Sequence, residues 1–166
     1  MNRPPSTIEI DGDIARISLR NQKGLVVDYA IIDSEDVSIV SGMRWYKTSH
    51  GYCASKTKTI VYLHRMIVDG CKIDHANLNK LDNRKENLRP CSQSQNLANS
   101  TARKTSKTGV KGVHRFKGGP KFAAQITKNR KVYCLGVFET VDQAAAAYSS
   151  KAKELYGEFA RCTYPK

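Results

Sequence analysis

The sequence predicts an α+β fold made of short strands, tight turns and a few helices. The run TIEIDGDIARISL places apolar residues at strand spacing on both sides of Gly12, as two strands joined by a turn do. Nearer the C-terminus, three strand-like runs are separated by the turn-forming segments KGGP and NR, and an alanine-rich run of helical composition follows them. Hydrophobic residues make up 40% of the 166 positions, which is enough to build a core and argues against a disordered chain.

Residues 7–70 are predicted to alternate strands with one short helix. The two strands around the first turn carry their apolar residues at Ile8, Ile10, Ile14, Ile17 and Leu19. The run DSEDVSIVSGMRW predicts a short helix, because Asp33 or Ser34 can cap its first turn and acidic residues follow. The run GYCAS predicts a strand, and TIVYLHRMIV predicts a strand that passes into a helix.

The rest of the chain is predicted to form one more polar helix, a linker and a second domain. The run CSQSQNLANS predicts a helix with Ser92 as its N-cap. The runs VKGVHRF, KFAAQITK and KVYCLGVFET predict three strands, and the next run predicts a helix that starts at Thr140 or Asp142 and ends at Gly157. We therefore expect a first domain at residues 1–99 with its core motif at 60–99, a basic linker at 100–109, and a second domain at 110–166.

The positive charge is concentrated in the second half of the chain. The whole sequence has a formal net charge of +13, and residues 71–166 hold nineteen Lys or Arg against seven Asp or Glu. Between positions 100 and 131 there are ten basic residues and no acidic one. A long stretch of one sign favours a polyanion as partner, because Lys and Arg that neutralise phosphates release condensed counterions.

Other classes of protein are disfavoured by the composition. The sequence contains no run of 18 apolar residues, and its basic stretch is rich in Gly, Thr and Ser and lacks a bulky apolar face, so we expect no membrane partner. The five cysteines form no CxxC pair, which argues against a disulfide framework and a structural zinc site. We expect a cytoplasmic protein.

The run KIDHANLNKLDNRKENLRP, residues 72–90, carries the most informative chemistry. Asp74 and His75 are adjacent at the end of a predicted strand, a turn returns the chain, and a helix containing Asn96 follows. Asp and Asn supply hard oxygen ligands that suit Mg²⁺ or Mn²⁺, and a histidine near neutral pKa can take a proton from water. Lys and Arg nearby can hold phosphates, so the pattern predicts metal-assisted phosphodiester hydrolysis.

The runs LHRMI, IDHANLNKLDNRKENLR and QSQN resemble the HNH endonucleases, in the branch found among phage and intron-encoded homing endonucleases. The resemblance covers about residues 30–99 and implies a ββα-metal fold. It implies that Asp74 is a metal ligand and His75 the general base. Asn87 would be the middle asparagine, whose side chain bonds across the loop, and Asn96 would be the second ligand of one Mg²⁺ or Mn²⁺ ion.

Further residues of the motif receive narrower predictions. Phosphate contact is expected at Arg84, Lys85 and Arg89. His64 is a possible additional site residue, which either lines the site and contacts phosphate or bonds a backbone carbonyl. Asn83 is interpreted as a turn former. Many relatives have N-G-D where this chain has residues 77–79. Loss of the glycine at position 78 would strain a turn that needs a positive φ, although Asn79 tolerates the left-handed conformation better than most residues.

Residues 109–160 resemble the AP-two/ERF DNA-binding domain, through the spaced runs GVKGV, KFAAQI, LGVFETVDQAAAAY and GEFA. The resemblance implies a three-stranded antiparallel sheet packed on one helix, with the sheet in the DNA major groove. Strand alternation puts Lys111 with Arg115, or His114 with Phe116, on one face. The predicted DNA-binding residues are Lys111, His114, Arg115, Lys121, Gln125, Lys131 and Tyr133. Lys and His lack the bidentate fork of Arg for guanine, so a weaker or different sequence preference is expected.

Together these patterns predict a metal-dependent HNH homing endonuclease that hydrolyses phosphodiester bonds in double-stranded DNA. We expect a monomer that nicks one strand, is addressed by its C-terminal domain and has no small-molecule substrate. If it is phage-encoded, it would work in the host cytoplasm or nucleoid. The alternatives are a DNA-binding regulator with an inactive nuclease module and a basic RNA-binding protein.

Overall fold

A computed structural model describes residues 4–162 of the chain. The chain divides into two compact units, Met1–Cys91 and Ser92–Lys166. The described part combines helices with small antiparallel sheets, three of them three-stranded and one two-stranded, so the predicted mixture of helix and strand is confirmed. None of the helices in residues 4–162 is long and apolar enough to cross a membrane. The domain bounds predicted at residues 99 and 110 stay a prediction.

The first sheet of the first unit contains three antiparallel strands, β1 (Ile8–Asp11), β2 (Ile14–Arg20) and β3 (Val26–Asp33). The predicted turn between β1 and β2 is present, with Gly12 at a φ of +60° that favours glycine. One face of β2 is completely buried, at Ala15, Ile17 and Leu19, and this face forms the middle of the core. Of the predicted apolar positions, Ile10 lies outside this core and is 63% exposed.

The chain continues through a short helix into a second sheet. A 3-10 turn at Ser34–Asp36 leads into α1 (Val37–Val40), and β4 (Trp45–Lys47), β5 (Cys53–Lys56) and β6 (Ile60–Tyr62) follow. Helix α2 (Leu63–Ile67) directly follows β6, as the strand-to-helix pattern predicted. Trp45 is completely buried, and its Nε1 donates to Val40 O at 3.1 Å, so it ties β4 to α1.

Neither candidate cap of the first helix uses its side chain for capping. Asp33 makes no capping bond to the 3-10 turn; its Oδ2 instead accepts a hydrogen bond from Lys85 N at 2.8 Å. The predicted helix is therefore present, and its neighbouring carboxylate serves a contact 52 residues away. This contact is one of several that hold the later loop against β3.

A two-stranded hairpin carries the motif that stood out in the sequence. Strands β7 (Ile73–His75) and β8 (Leu88–Pro90) pair antiparallel, with Asp74 opposite Arg89 and His75 opposite Leu88. The loop between them is fixed to β3, because Ile31 N donates to Leu81 O at 2.8 Å and Asn83 N donates to Ile31 O at 2.7 Å. The loop is thus positioned by backbone bonds to a sheet and not by the hairpin alone.

The second unit begins with α3 (Gln93–Asn99), the polar helix predicted from composition. Ser92 caps it, and its side chain accepts from Gln95 N while the Gln95 side chain accepts from Ser92 N, which is a complete capping box. Strands β9 (Val113–Arg115), β10 (Phe122–Lys128) and β11 (Lys131–Phe138) form an antiparallel sheet with β10 in the centre. The three predicted strands are therefore confirmed.

Helix α4 (Val141–Tyr156) covers one face of this sheet. Thr140 is its N-cap and Gly157 its C-cap, so both predicted ends are confirmed. Close packing requires glycine at position 112, where an added Cβ would lie 2.3 Å from a ring carbon of Tyr148 and 2.5 Å from Gln125 O. The side of β10 that faces α4 is buried, as Ala124 and Ile126 show.

Candidate active site and nucleic-acid interface

His75 ends β7 inside a cluster of aromatic rings. Only 4% of the residue is exposed. Its ring centroid lies 5.2 Å from that of His64, nearly perpendicular to it, and 6.0 Å from that of Tyr52. Its Nε2 lies 3.3 Å from Asn83 Oδ1. The backbone of the hairpin, two flanking rings and a side-chain amide therefore fix the orientation of this imidazole.

Burial lowers the pKa of His75 below its usual value of 6.5. The hydrogen bond to Asn83 and the carboxylates of Asp74 and Asp82 raise the pKa, and the nearby ammonium of Lys80 lowers it further, but burial is the largest effect. A pKa below 6.5 leaves the imidazole neutral near pH 7. The neutral form is the one that can accept a proton from water.

His64 lies beside His75 and is 6% exposed. Burial lowers its pKa to about 4, and the charges of His75 and Arg65 act in the same direction. Its Nδ1 is buried without a hydrogen-bond partner among the described residues, so this nitrogen does not bond a backbone carbonyl there. The ring packs against Tyr52 and Tyr62, with centroids at 5.5 and 5.7 Å. His64 thus forms one wall around the candidate base.

Asp74 precedes the candidate base and forms a buried ion pair. Arg89 on the paired strand donates through Nε at 3.0 Å and through a terminal nitrogen at 2.8 Å, both to Asp74 Oδ2. The side chains are 4% exposed for Asp74 and 18% exposed for Arg89. The register of the hairpin places these two residues opposite each other, so the guanidinium offsets the carboxylate where solvent cannot.

The loop after His75 is held together by amide side chains. Asn87 is buried; its Oδ1 accepts from Asn77 N at 2.9 Å and its Nδ2 donates to Asp82 O at 2.7 Å. Asn77 Nδ2 donates to Asp82 Oδ2 at 2.8 Å, which adds a second link. Ala76 N also donates to Asn87 O at 2.9 Å. These bonds join the chain immediately after His75 to the start of β8.

The left-handed position of this loop is Leu78, with a φ of +67°. Leu78 stands where many relatives have glycine, so the strain predicted from the loss of that glycine is confirmed, and Asn79 does not adopt the positive φ. Asn79 serves the turn through its side chain, because its Oδ1 accepts from Leu81 N at 3.1 Å. A leucine in the left-handed region costs about 1–2 kcal/mol relative to the right-handed one, so the loop stores strain three residues from His75.

Two residues near His75 could not be identified from the sequence. Asn83 was interpreted as a turn former, but it is completely buried and contacts His75. Its Nδ2 has no hydrogen-bond partner in residues 4–162. Lys80 places its ammonium 4.2 Å from the Tyr52 ring centroid and donates to His50 O at 2.8 Å. Asparagine is so common in turns that its type alone gave no signal of this contact.

The remaining predicted phosphate contacts of the motif are paired with acids. Arg84 donates to Asp82 through Nε and a terminal nitrogen, both at 2.9 Å, and a third nitrogen lies 2.6 Å from Glu86. Lys85 Nζ lies 2.5 Å from Glu35 and 2.9 Å from a carboxylate oxygen of Asp36. A phosphate would have to share or replace these partners. The predicted contacts stay predictions.

Asp74 would supply the carboxylate ligand of a divalent metal ion. HNH nucleases generally use such an ion. Residues 4–162 contain no group of three or more His, Cys, Asp or Glu arranged to hold a metal ion. A site with one carboxylate, one amide, waters and a phosphate fits the oxygen chemistry of Mg²⁺ or Mn²⁺. Asp74 Oδ2 already lies beside the guanidinium of Arg89. Asn96, the other predicted ligand, lies half-buried on α3 in the second unit.

The second unit places the predicted DNA-binding residues on different sides of its sheet. His114 and Gln125 lie on the outer face, away from α4, where both are exposed. Tyr133 lies opposite the buried Ile126, on the helix side, with Lys151 of α4 5.6 Å from its ring centroid. Arg115 packs over the Phe122 ring at 5.2 Å, also on the inner side.

The predicted lysines of this unit lie at the margins of the sheet or away from it. Lys121 precedes β10 and pairs with Glu139 at 2.6 Å, where both side chains are more than half exposed. Lys131 begins β11 and is exposed, with its ammonium 5.3 Å from the Tyr133 ring centroid. Lys111 directs its ammonium at carbonyl oxygens at the end of α3, those of Leu97, Ala98 and Ser100. Burial lowers the pKa of Lys111 to about 8.

Comparison of the sequence with known proteins identifies the family of this chain. A family model described as HNH endonuclease matches residues 61–98, which include both residues of the Asp74–His75 pair and also Asn87 and Asn96. An uncharacterised HNH endonuclease of Acanthamoeba polyphaga mimivirus is 32% identical over 141 residues, which cover 80% of this chain and 73% of that protein. No solved structure matches the chain significantly.

The similarity to the viral protein extends beyond the matched motif. The first unit holds 91 of the 166 residues, about 55% of the chain, so an alignment over 80% includes parts of both units. The residues matched by the family model include the hairpin that carries His75. The chain therefore belongs to the HNH endonuclease family, and it is a nuclease.

Proposed function

We propose that the protein is a homing-type HNH endonuclease that nicks one strand of duplex DNA and is targeted to its DNA site by its C-terminal unit. One Mg²⁺ or Mn²⁺ ion would be held by Asp74 and Asn96, and it would supply charge stabilisation at the phosphate. The chain would act as a monomer in the cytoplasm or nucleoid of a host cell. The homing branch is proposed from the resemblance of the motif, and the related HNH endonuclease is a viral protein.

The observation that carries the proposal is the placement of His75. Its imidazole is buried, oriented by Asn83 and two rings, and neutral near pH 7 because burial lowers its pKa. A general base needs this combination, since a neutral imidazole held in a fixed orientation is poised to take a proton from water. Asp74 precedes it on the same strand and offers the oxygen that a hard metal ion prefers.

Nicking of one strand is proposed because residues 4–162 contain one such hairpin. One base and one ion can attack one phosphodiester bond at a time. Cleavage of both strands would then need a second copy of the chain or a second binding event. Asn87 has a positioning role in this proposal, because its bonds to Asn77 N and Asp82 O hold the loop that directly follows His75.

The second unit supplies the address in this proposal. Its residues 92–166 contain fourteen Lys or Arg and four Asp or Glu, a net charge of +10, whereas residues 1–91 contain fourteen and eleven, a net of +3. An excess of this size favours a polyanion. The three-stranded sheet packed on one helix is the architecture that the AP-two/ERF resemblance implies, which supports a duplex DNA partner.

A plasmid nicking assay tests the proposal. Wild-type protein should convert supercoiled plasmid into open circles with Mg²⁺ or Mn²⁺ and not with EDTA. His75→Ala should abolish the product, and His50→Ala should not, because His50 is an exposed histidine outside the ring cluster. The plasmid should carry DNA from around the protein's own gene. Cleavage by His75→Ala at the wild-type rate would contradict the assigned base.

Two other functions would give different results. A regulator with an inactive nuclease module would bind duplex DNA without metal-dependent nicking on any DNA surveyed. An RNA-binding protein would be displaced from duplex DNA by a small excess of structured RNA, because an A-form helix presents a different groove. Under our proposal, duplex DNA competes better than RNA of the same length.

A further inference from the structure

The outer face of the second unit's sheet has a composition unusual for a nucleic-acid surface. Cross-strand pairs put Ala123 opposite both His114 and Val137, Gln125 opposite Cys134, and Thr127 opposite Val132, and directly opposed side chains share a face. Most of these residues are exposed, with Val132 at 53% and Val137 at 45%. Within β9, β10 and β11, all fully described, none of the Lys or Arg residues has its side chain on this face.

Four cations of the unit lie at the two ends of this sheet. Arg130 and Lys131 lie at the β10–β11 turn. Lys117, which follows β9, and Lys121, which precedes β10, lie at the other end of the sheet. All four are exposed. Two strand spacings of about 4.8 Å make the sheet about 10 Å wide between its outer strands, which suits a groove about 12 Å wide. The sheet is thus narrow enough to enter the major groove, and the exposed cations near the ends of its strands are available to the phosphates there.

The chemistry of the face favours one pair of bases. Guanine is recognised chiefly by the fork of arginine or by lysine, which this face lacks. An exposed glutamine can bond adenine at N6 and N7, and methyl groups of Val, Thr and Ala pack against the thymine C5-methyl group. Gln125 lies in the central strand, with the methyl-bearing Ala123, Thr127, Val132 and Val137 around it.

We infer that this sheet face reads A·T base pairs in the major groove, with Gln125 contacting adenine and the surrounding methyl groups contacting thymine. The inference rests on the proposed DNA-addressing function of the second unit. It makes Gln125 the specificity-determining residue of that function and leaves affinity to the surrounding cations. A·T-containing major grooves are therefore the substrate class of this surface.

The test measures binding by the full-length protein in EDTA, so that cleavage does not interfere. Matched duplexes of one length carry an A·T-rich or a G·C-rich core, and a third replaces every thymine of the A·T core by uracil, which removes only the methyl group. We expect preference for the A·T duplex by tenfold or more, on the order of one bidentate base contact, and a several-fold loss of affinity with uracil.

Three variants separate recognition from general affinity. Gln125→Ala should reduce the preference for A·T over G·C by about tenfold. Lys131→Ala should weaken binding to both duplexes equally and lower the salt dependence by about one phosphate contact. Gln22→Ala, which removes an exposed glutamine of the first unit, should change neither quantity.

The possible results distinguish this inference from the proposed DNA-targeting function on which it rests. Salt-dependent duplex binding with no A·T preference, and with no response to uracil or to Gln125→Ala, would overturn the inference and leave DNA addressing intact. Absence of duplex binding would overturn the addressing function and the inference together. Equal loss of binding to both duplexes in Gln125→Ala would also overturn the inference, since it would make Gln125 a general contact.

Discussion

The ion pair between Asp74 and Arg89 gives the sharpest prediction about the metal site. Arg89→Met removes the guanidinium whose Nε and terminal nitrogen donate to Asp74 Oδ2, and the side chain of that aspartate is only 4% exposed. Breaking one side of a buried pair costs about 3–5 kcal/mol, because the remaining charge is poorly solvated. Arg89 is itself 18% exposed, so we expect a loss near 3 kcal/mol, or roughly 6–12 °C in Tm.

A divalent ion at Asp74 should repair this loss. An ion that binds only the folded state adds about 2.7 kcal/mol at one hundred times its Kd, which nearly offsets the missing guanidinium. In the wild type the ion must share the carboxylate with Arg89, so the same ion should stabilise the wild type less than Arg89→Met. Urea or thermal unfolding with EDTA or Mn²⁺ measures both differences without any DNA.

Arg84→Met is the matched control for this prediction. Arg84 makes the same two-nitrogen contact with a buried aspartate, Asp82, which is not a proposed ligand. Its loss should destabilise the protein, and Mn²⁺ should not restore the stability. Equal rescue of both variants, or rescue of neither, would refute the idea that Arg89 occupies the cation position of the metal ligand.

Three further predictions concern stability. Leu78→Gly should raise the free energy of unfolding by about 1 kcal/mol and Leu78→Val should lower it, because position 78 has a φ of +67°. Urea titrations in which both variants shift in the same direction would disprove this. Because the native pKa of His64 is about 4, against 6.5 unfolded, the native state binds fewer protons, and stability should fall by about 3 kcal/mol as pH drops from 6.5 to 4. His64→Phe should flatten that decline in pH-dependent unfolding, whereas His50→Phe should leave it unchanged. Gly112→Ala should cost about 3 kcal/mol or more and Gly109→Ala only about 1, since both have a positive φ but only the first meets a ring; equal Tm shifts would contradict the packing argument.

The elements that could be predicted are those whose signals are local. The capping boxes at Ser92 and Thr140 lie within four residues, and both helices start where the sequence indicated. The adjacent Asp74 and His75 at the end of a strand were likewise visible without any long-range information. Strand β3 was missed, because Val26 and Val27 put apolar residues on an exposed surface and obscure the alternation.

The contacts that could not be predicted join residues far apart in sequence or follow from a local irregularity. No pattern links Lys85 to Glu35, which lie 50 residues apart. Strand alternation counted back from the inward Phe138 places Tyr133 on the outer face. A register shift beside Gln125 inserts one residue into β11, and it puts Tyr133 on the helix side instead.

The membership of α3 in the second unit limits how the protein can be recombined. Lys111 bonds carbonyls at the end of α3, Ser94 Oγ lies 3.0 Å from the Tyr156 hydroxyl, and Arg161 N donates to Ala98 O. An exchange at the basic linker would separate this helix from those partners, whereas an exchange at Ser92 would keep them. A chimera that takes a new address at Ser92 would therefore also take its helix, and with it the residue at position 96. Under the proposed roles of Asn96 and of the second unit, one metal ligand and the targeting surface would then be inherited together, which favours evolution of the whole chain over exchange of modules.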